Sequence, residues 1–232
     1  MQTLRWLREN WLQVAILAVP FIVLAVFWGD FPARVVTHWG IGGRPNGWMN
    51  KAPGLLGTPL INVGVAILLG WIPQIDPRLR RDSERSERSV VAIRVIRIAV
   101  TAMMTLGSLL IAANALGYHF DPMRVGLNAL LLFFAVMGNY MGNIRPNYFV
   151  GVRTPWTLES DSVWRQTHRL LGGVWVLGAV VLLVLQFTLR QSITMPFAIG
   201  FFIGTGLLAV PYSWWLFRAG EADRHPPAAP QA

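Results

Sequence analysis

Residues 11–28 read WLQVAILAVPFIVLAVFW, eighteen positions without a charge, with Gln13 the one polar side chain between two terminal tryptophans. As a helix the run rises about 25 Å from Trp11 to Trp28. Tryptophan settles at membrane–water interfaces, so the stretch reads as a membrane span anchored at both ends. Arg5 and Arg8 precede it as they would a signal peptide, but no A-x-A-like cleavage site follows, and the apolar run exceeds a typical signal core. It is expected to stay as an anchor.

Five further runs have the length and apolarity of a span: residues 54–72, 98–116, 125–142, 171–189 and 193–217. Arg94 and Arg97 sit just before the apolar part of the third. The last is long and holds Pro196 and Pro211, which a tilted or kinked helix would accommodate, as would one leaving the membrane near Trp214 and Trp215. The predicted fold class is all-α: a polytopic, multi-pass membrane protein with six transmembrane helices. Composition agrees. Of 232 residues 54% are hydrophobic and 13% charged, against about 25% charged in a soluble domain. That excludes an ordinary soluble enzyme and a disordered chain. The chain has no Cys, which excludes a disulfide framework, thiolate metal sites and a Cys nucleophile.

The net charge of +9 is unevenly spread. Fifteen of the twenty Lys and Arg fall on the side of the N-terminus, the second-to-third and fourth-to-fifth connections and the C-terminus. Arg34, Arg44, Lys51, Arg124 and Arg190 fall on the other. The positive-inside rule then puts both termini in the cytoplasm and residues 29–53 outside. The basic balance is read as membrane orientation, with no direct nucleic-acid binding. Four regions follow: 1–72, a helical pair with the outward loop; 73–124, a charged connection and the third span; 125–218, the C-terminal region; and 219–232, a Pro- and Ala-rich tail expected to be disordered. The mixed charges of residues 76–89 suggest a solvated helical extension.

Two connections are rich enough to carry function. The outward one includes THWGIGGRPNGW, residues 37–48. Pro45-Asn46-Gly47 is a turn signature. His38, Trp39, Arg44, Asn46 and Trp48 are the candidate ligand-binding residues there, with an interfacial cap as the plainer alternative. The inward one, residues 143–173, reads NIRPNYFVGVRTPWTLESDSVWRQTHRLLGG. It starts extended around Pro146. A capped amphipathic helix is then expected to lie at the interface and stop at Gly172-Gly173. Val163, Trp164, Thr167 and Leu171 would share one face, together with Trp156. His168 reads as a cap or lipid contact. The candidate residues of this motif are Arg145, Asn147, Tyr148, Arg153, Trp156, Glu159, Trp164, His168 and Arg169, with Arg153 and Arg169 as donors to an anionic group.

Residues 145–173 closely resemble the SdpI family of bacterial membrane proteins. The pattern P-N-Y-x-x-G-x-R-T-P-W-T-L is matched from Pro146 to Leu158, and Val163-Trp164 and Thr167-His168-Arg169 match its continuation. Thr37, His38, Gly43, Pro45, Asn46, Gly47 and Trp48 match the uncharacterised domain that usually precedes it. The resemblance implies immunity to a secreted peptide toxin that collapses the membrane potential. It further implies that a small cytoplasmic transcriptional repressor is held at the membrane once toxin is sensed. Membrane lipids are the remaining partner.

Catalysis is not expected. No nucleophile elbow, P-loop or dinucleotide fingerprint is present, so no cofactor is implied, and the spans hold no Asp or Glu. His38 and His119 are a weak metal signal. Asn62, Asn114, Asn128, Asn139 and Gln186 are polar positions in the spans, expected to hydrogen-bond between helices. A small transporter or lipid-handling protein using them is the alternative reading.

Overall fold

The structure is a computed structural model describing residues 2–40, 42–80 and 83–224, with side chains from residues 10–40, 42–79 and 88–220. In lipid every backbone polar group needs an internal partner, so an apolar chain of this composition resolves into helices. Six are long and apolar enough to cross a membrane. They are α1 (Gln2–Phe27), α2 (Lys51–Ile75), α4 (Ser83–Ala115), α5 (Pro122–Met141), α7 (Asp161–Leu185) and α8 (Gln191–Arg224). Two short helices, α3 (Pro77–Arg80) and α6 (Pro155–Glu159), lie in the connections expected to face inward. Between 17% and 33% of each spanning window is buried. The remaining surface is studded with exposed Ile22, Leu60, Ile61, Leu132, Val184, Ile203 and Leu207, the surface that lipid requires.

The bundle has two halves. Around Leu24, Leu55, Ile111 and Ala112, the ends of α1, α2 and α4 enclose one core; around Leu127, Leu131, Ala179, Leu182 and Phe202, α5, α7 and α8 enclose another. Helices α4 and α5 join them. The closest approach is between α5 and α7. A Cβ on Gly138 would fall 2.5 Å from the carbonyl oxygen of Gly172, so the two backbones touch where small residues allow it.

Three expectations change. The outward connection is a β-hairpin, β1 (Arg34–Trp39) with β2 (Pro45–Asn50), antiparallel with an irregular register around Thr37; it adds a small sheet to the otherwise helical fold. The amphipathic helix does not stop at Gly172-Gly173. It is the first part of α7, which runs on to Leu185. Glycine's weak helix propensity yields where unpaired backbone is costly, and Gly172 is spent on the contact with α5. Third, α4 begins well before residue 98, so Arg94 and Arg97 lie inside the spanning helix. The charged stretch from Ser83 is the start of this helix, while Arg81 and Asp82 lie outside the described residues. At the other end α8 continues to Arg224, into the expected tail, whose residues 225–232 lie outside the described residues.

Three of the five polar span residues, Asn62, Asn128 and Gln186, pair between helices, and Asn139 is exposed instead. Asn62 Nδ2 donates to Thr101 O and Thr105 Oγ1, both at 3.1 Å, and Gln186 Nε2 donates to Asn128 Oδ1 at 2.6 Å.

Candidate functional site

The two candidate regions lie at opposite ends of α2. At its start the hairpin is docked: a Cβ on Gly54 would fall 2.5 Å from Val35 Cγ2, and Lys51 N–H donates to Ala33 O at 2.9 Å. The Lys51 ammonium donates to Trp28 O and lies 4.8 Å from the Trp28 ring centroid. The tip turns through Gly43, at φ +73°, closed by Gly40 N–H to Arg44 O at 2.9 Å. Only glycine takes that φ without strain.

The hairpin brings some of the expected residues together and separates others. His38 Nδ1 and Asn46 Oδ1 are 2.5 Å apart across the strands. Gly47 opposite His38 is obligatory in practice, since a Cβ there would come within 2.9 Å of His38 Cβ. Trp39 turns inward against the core of Leu24, Val35 and Leu55. Arg44 and Asn46 are exposed, and Trp48 is 51% exposed. His38, Arg44, Asn46 and Trp48 are thus exposed on the hairpin, while Trp39 is not among them.

The elbow, residues 142–160, is built differently. Asn147 is wholly buried and saturated. Its Oδ1 accepts from Phe149 N–H and Val150 N–H at 2.8 and 2.7 Å, and its Nδ2 donates to Arg145 O and Val150 O at 2.9 and 3.0 Å. Trp164, also wholly buried, donates from Nε1 to Ile144 O at 2.7 Å and stacks on His168 with centroids 4.0 Å apart. His168 is no cap or lipid contact: it is fully buried, and Val152 N–H donates to its Nε2 at 2.9 Å. Nε2 must therefore be the bare nitrogen, leaving Nδ1–H to donate to Trp164 O at 2.8 Å. Gly151, at φ +112°, packs against the Nε2 side of this ring, where a Cβ would collide with Nε2.

Thr154 caps α6 in a reciprocal box with Thr157, and its hydroxyl meets Ser213 of α8 at 3.1 Å. Trp156 therefore belongs to α6 and not to the α7 face with Trp164. Arg153 Nη1 donates to Tyr148 O at 2.6 Å, so that donor closes the elbow on itself. Tyr148, Glu159 and Arg169 are exposed. The stem of Arg169 lies over Gly142.

Two anchoring residues escape the sequence reading. Asp76, fully buried, caps α3 by accepting from Arg78 and Leu79 N–H, and its second oxygen accepts from Tyr148 N–H at 2.7 Å. The Asp-Pro pair at 76–77 is the available signal, an N-cap followed by a first-turn proline. Ser89 of α4 accepts from Arg145 N–H at 2.9 Å, with no local signal. Arg78 completes the latch, donating to Leu158 O at 2.9 Å with its guanidinium 4.8 Å from the Tyr148 ring centroid. Where the elbow meets α4 and the start of α7 opens a cavity of about 190 Å³ lined by Arg88, Arg145, Arg165 and Asp161. Among the described residues no three His, Asp or Glu gather as metal ligands would.

Comparison with known proteins follows this division. Residues 143–213, the elbow with α7 and most of α8, match the SdpI/YfhL protein family. Residues 15–63, from α1 through the hairpin into α2, match a domain of unknown function, DUF1648. The chain is 22% identical over 190 residues to the Immunity protein SdpI of Bacillus subtilis (strain 168), covering 82% of this chain and 86% of that protein. No solved structure matches.

Proposed function

From the premise of a multi-pass bacterial membrane protein with an SdpI/YfhL-type elbow behind a DUF1648-type hairpin, we propose that this chain is a non-catalytic immunity protein. It protects its own membrane against a secreted antimicrobial peptide. The observation that carries the reading is the similarity to a protein named for immunity along 82% of the chain. The peptide would be met at the hairpin, where Trp48 offers an apolar face next to Arg44 and the His38–Asn46 pair. An exposed tryptophan on a docked but shallow hairpin suits contact with an apolar or amphipathic peptide arriving from outside.

Signalling to a cytoplasmic repressor rests on one geometric fact. Helix α2 carries the hairpin on its first turn at Gly54 and the elbow's anchor Asp76 just past its last. A peptide that favours one tilt of α2 would thereby shift the elbow, provided two tilts exist and bind it unequally. Tyr148, Phe149, Arg153 and Glu159 are among the exposed elbow groups a partner would touch.

The test is protection. The protein is expressed in bacteria sensitive to the peptide against which the Bacillus subtilis relative gives immunity, and membrane potential is recorded on challenge. Expressing cells should hold their potential while control cells depolarise. Equal depolarisation at confirmed membrane expression overturns the reading for that peptide.

A further inference from the structure

We propose that the α1–α2–α4 half holds one anionic phospholipid, its phosphate on Arg97 and an acyl chain in the groove between α1 and α2. Arg97 lies inside the spanning stretch of α4, and its guanidinium packs against Gly70, more than a turn within the end of α2 at Ile75. Its charge needs a partner there, because an isolated cation in an apolar layer is costly. Among the described residues what it has is an amide: Nη2 donates to Asn10 Oδ1 at 2.5 Å. Its Nε–H is buried and has no hydrogen-bond partner among the described residues. The neutral amide orients the guanidinium without cancelling its charge.

Next to the Arg97 side chain is a cavity of about 150 Å³ whose lining changes character with depth. Trp71, Gln74 and Arg97 line the end nearer the elbow, and Val14, Leu17 and Ile67 line the deeper part. The helix directions set this order, since α1 runs away from the elbow face and α2 toward it. Trp71 and Ile67 are 59% and 53% exposed, so the cavity opens sideways toward lipid. A phosphate with an acyl chain attached would engage both ends, with most of the chain lying along the exposed Ile67 side in the surrounding lipid. Guanidinium is the donor that suits phosphate, tryptophan sits at headgroup depth, and basic pockets between spans are a recurrent headgroup site. A free phosphate ion would satisfy Arg97 but leave the apolar end unfilled.

The experiment uses the purified full chain in detergent. Binding is read by native mass spectrometry and by the thermal unfolding midpoint, against phosphatidylglycerol, phosphatidylcholine and inorganic phosphate in parallel. Phosphatidylglycerol should bind about fivefold tighter than phosphatidylcholine and raise the midpoint, since one arginine near the membrane surface contributes about that preference. Inorganic phosphate should leave the midpoint unchanged. Arg97→Gln should remove the preference. Because that variant could lose the fold, Ile67→Trp fills the groove with Arg97 intact and should also remove it, whereas Leu208→Trp on the exposed face of α8 should not. Equal binding of the two lipids, a preference surviving in Ile67→Trp, or a full shift with inorganic phosphate alone overturns the lipid site.

Discussion

The hairpin and the elbow are both short non-spanning segments rich in Trp, Arg, Asn and Gly, yet they use those residues in opposite ways. Asn147 of the elbow, with Trp164 and His168 on the first turns of α7 beneath it, is turned inward, and the polar atoms of all three satisfy elbow and adjoining backbone groups that strands or helices would otherwise satisfy. In the hairpin the ladder satisfies the backbone, so His38, Arg44, Asn46 and Trp48 are left facing out. An irregular segment has to be held by side chains, whereas a hairpin holds itself and has side chains to spare. Motif density in the elbow therefore reflects construction first, and the exposed hairpin is the better place to look for a ligand.

Substitutions should separate the two regions, beginning with the most damaging. Asn147→Ala strips two backbone carbonyls and two N–H groups of their partners in a buried setting. At about 1–3 kcal/mol for a buried group left unsatisfied, the loss should exceed about 3 kcal/mol. We expect little folded protein in the membrane, read by expression level and by the unfolding midpoint in detergent. A near-normal midpoint would mean that the elbow is not held as described. Gly172→Val comes next. The added side chain meets the carbonyl of Gly138 and forces α5 and α7 apart, which should cost about 1–3 kcal/mol as overpacking does. Gly173→Val, at a position with open space around its Cβ, should cost far less in the same assay.

How much of this was legible beforehand follows the same physics. The six spans were readable because a bilayer imposes one length and one composition on each, and residues 11–28 meet both. The buried face of α7 was readable from Val163, Trp164, Thr167 and Leu171 at helical spacing, although its continuity through Gly172-Gly173 was not. Glycine signals a stop in water, where exposed backbone finds solvent, and a close contact in lipid, where it cannot. The strands are not legible in the sequence, because Pro45-Asn46-Gly47 has the composition of a turn and is instead the start of β2. The true turn lies five residues earlier at Gly40–Arg44, and only its pairing across the hairpin reveals this. Asp76 and Ser89 hold the elbow from 72 and 56 residues away, a relation that no local pattern encodes.

The hairpin variants carry the smaller effects. His38→Ala breaks the contact with Asn46. An exposed neutral hydrogen bond contributes about 0.5–1.5 kcal/mol, and the gap opposite Gly47 is left unfilled, so the midpoint should drop slightly with the fold intact. Protection against the peptide should weaken more than stability does, if that pair helps to shape the outer face.

Trp48→Ala should move stability least of all. Its side chain is 51% exposed and pairs across the ladder only with the half-buried Val36, and the truncation leaves every backbone hydrogen bond of β2 in place. Within about 0.5 kcal/mol, the range of surface substitutions, the midpoint should match that of the parent. Membrane-potential protection, in contrast, should fall sharply if the exposed ring is what the peptide meets. The reverse pattern, a lower midpoint with protection intact, would make Trp48 an interfacial anchor of the hairpin. The ligand face would then have to be sought in Arg44 and the His38–Asn46 pair alone. The comparison of Trp48 with Trp164 is thus the most economical one in the molecule. They are the same residue type in the two motif-rich segments, one expected to report on function with the fold unmoved and the other on the fold itself.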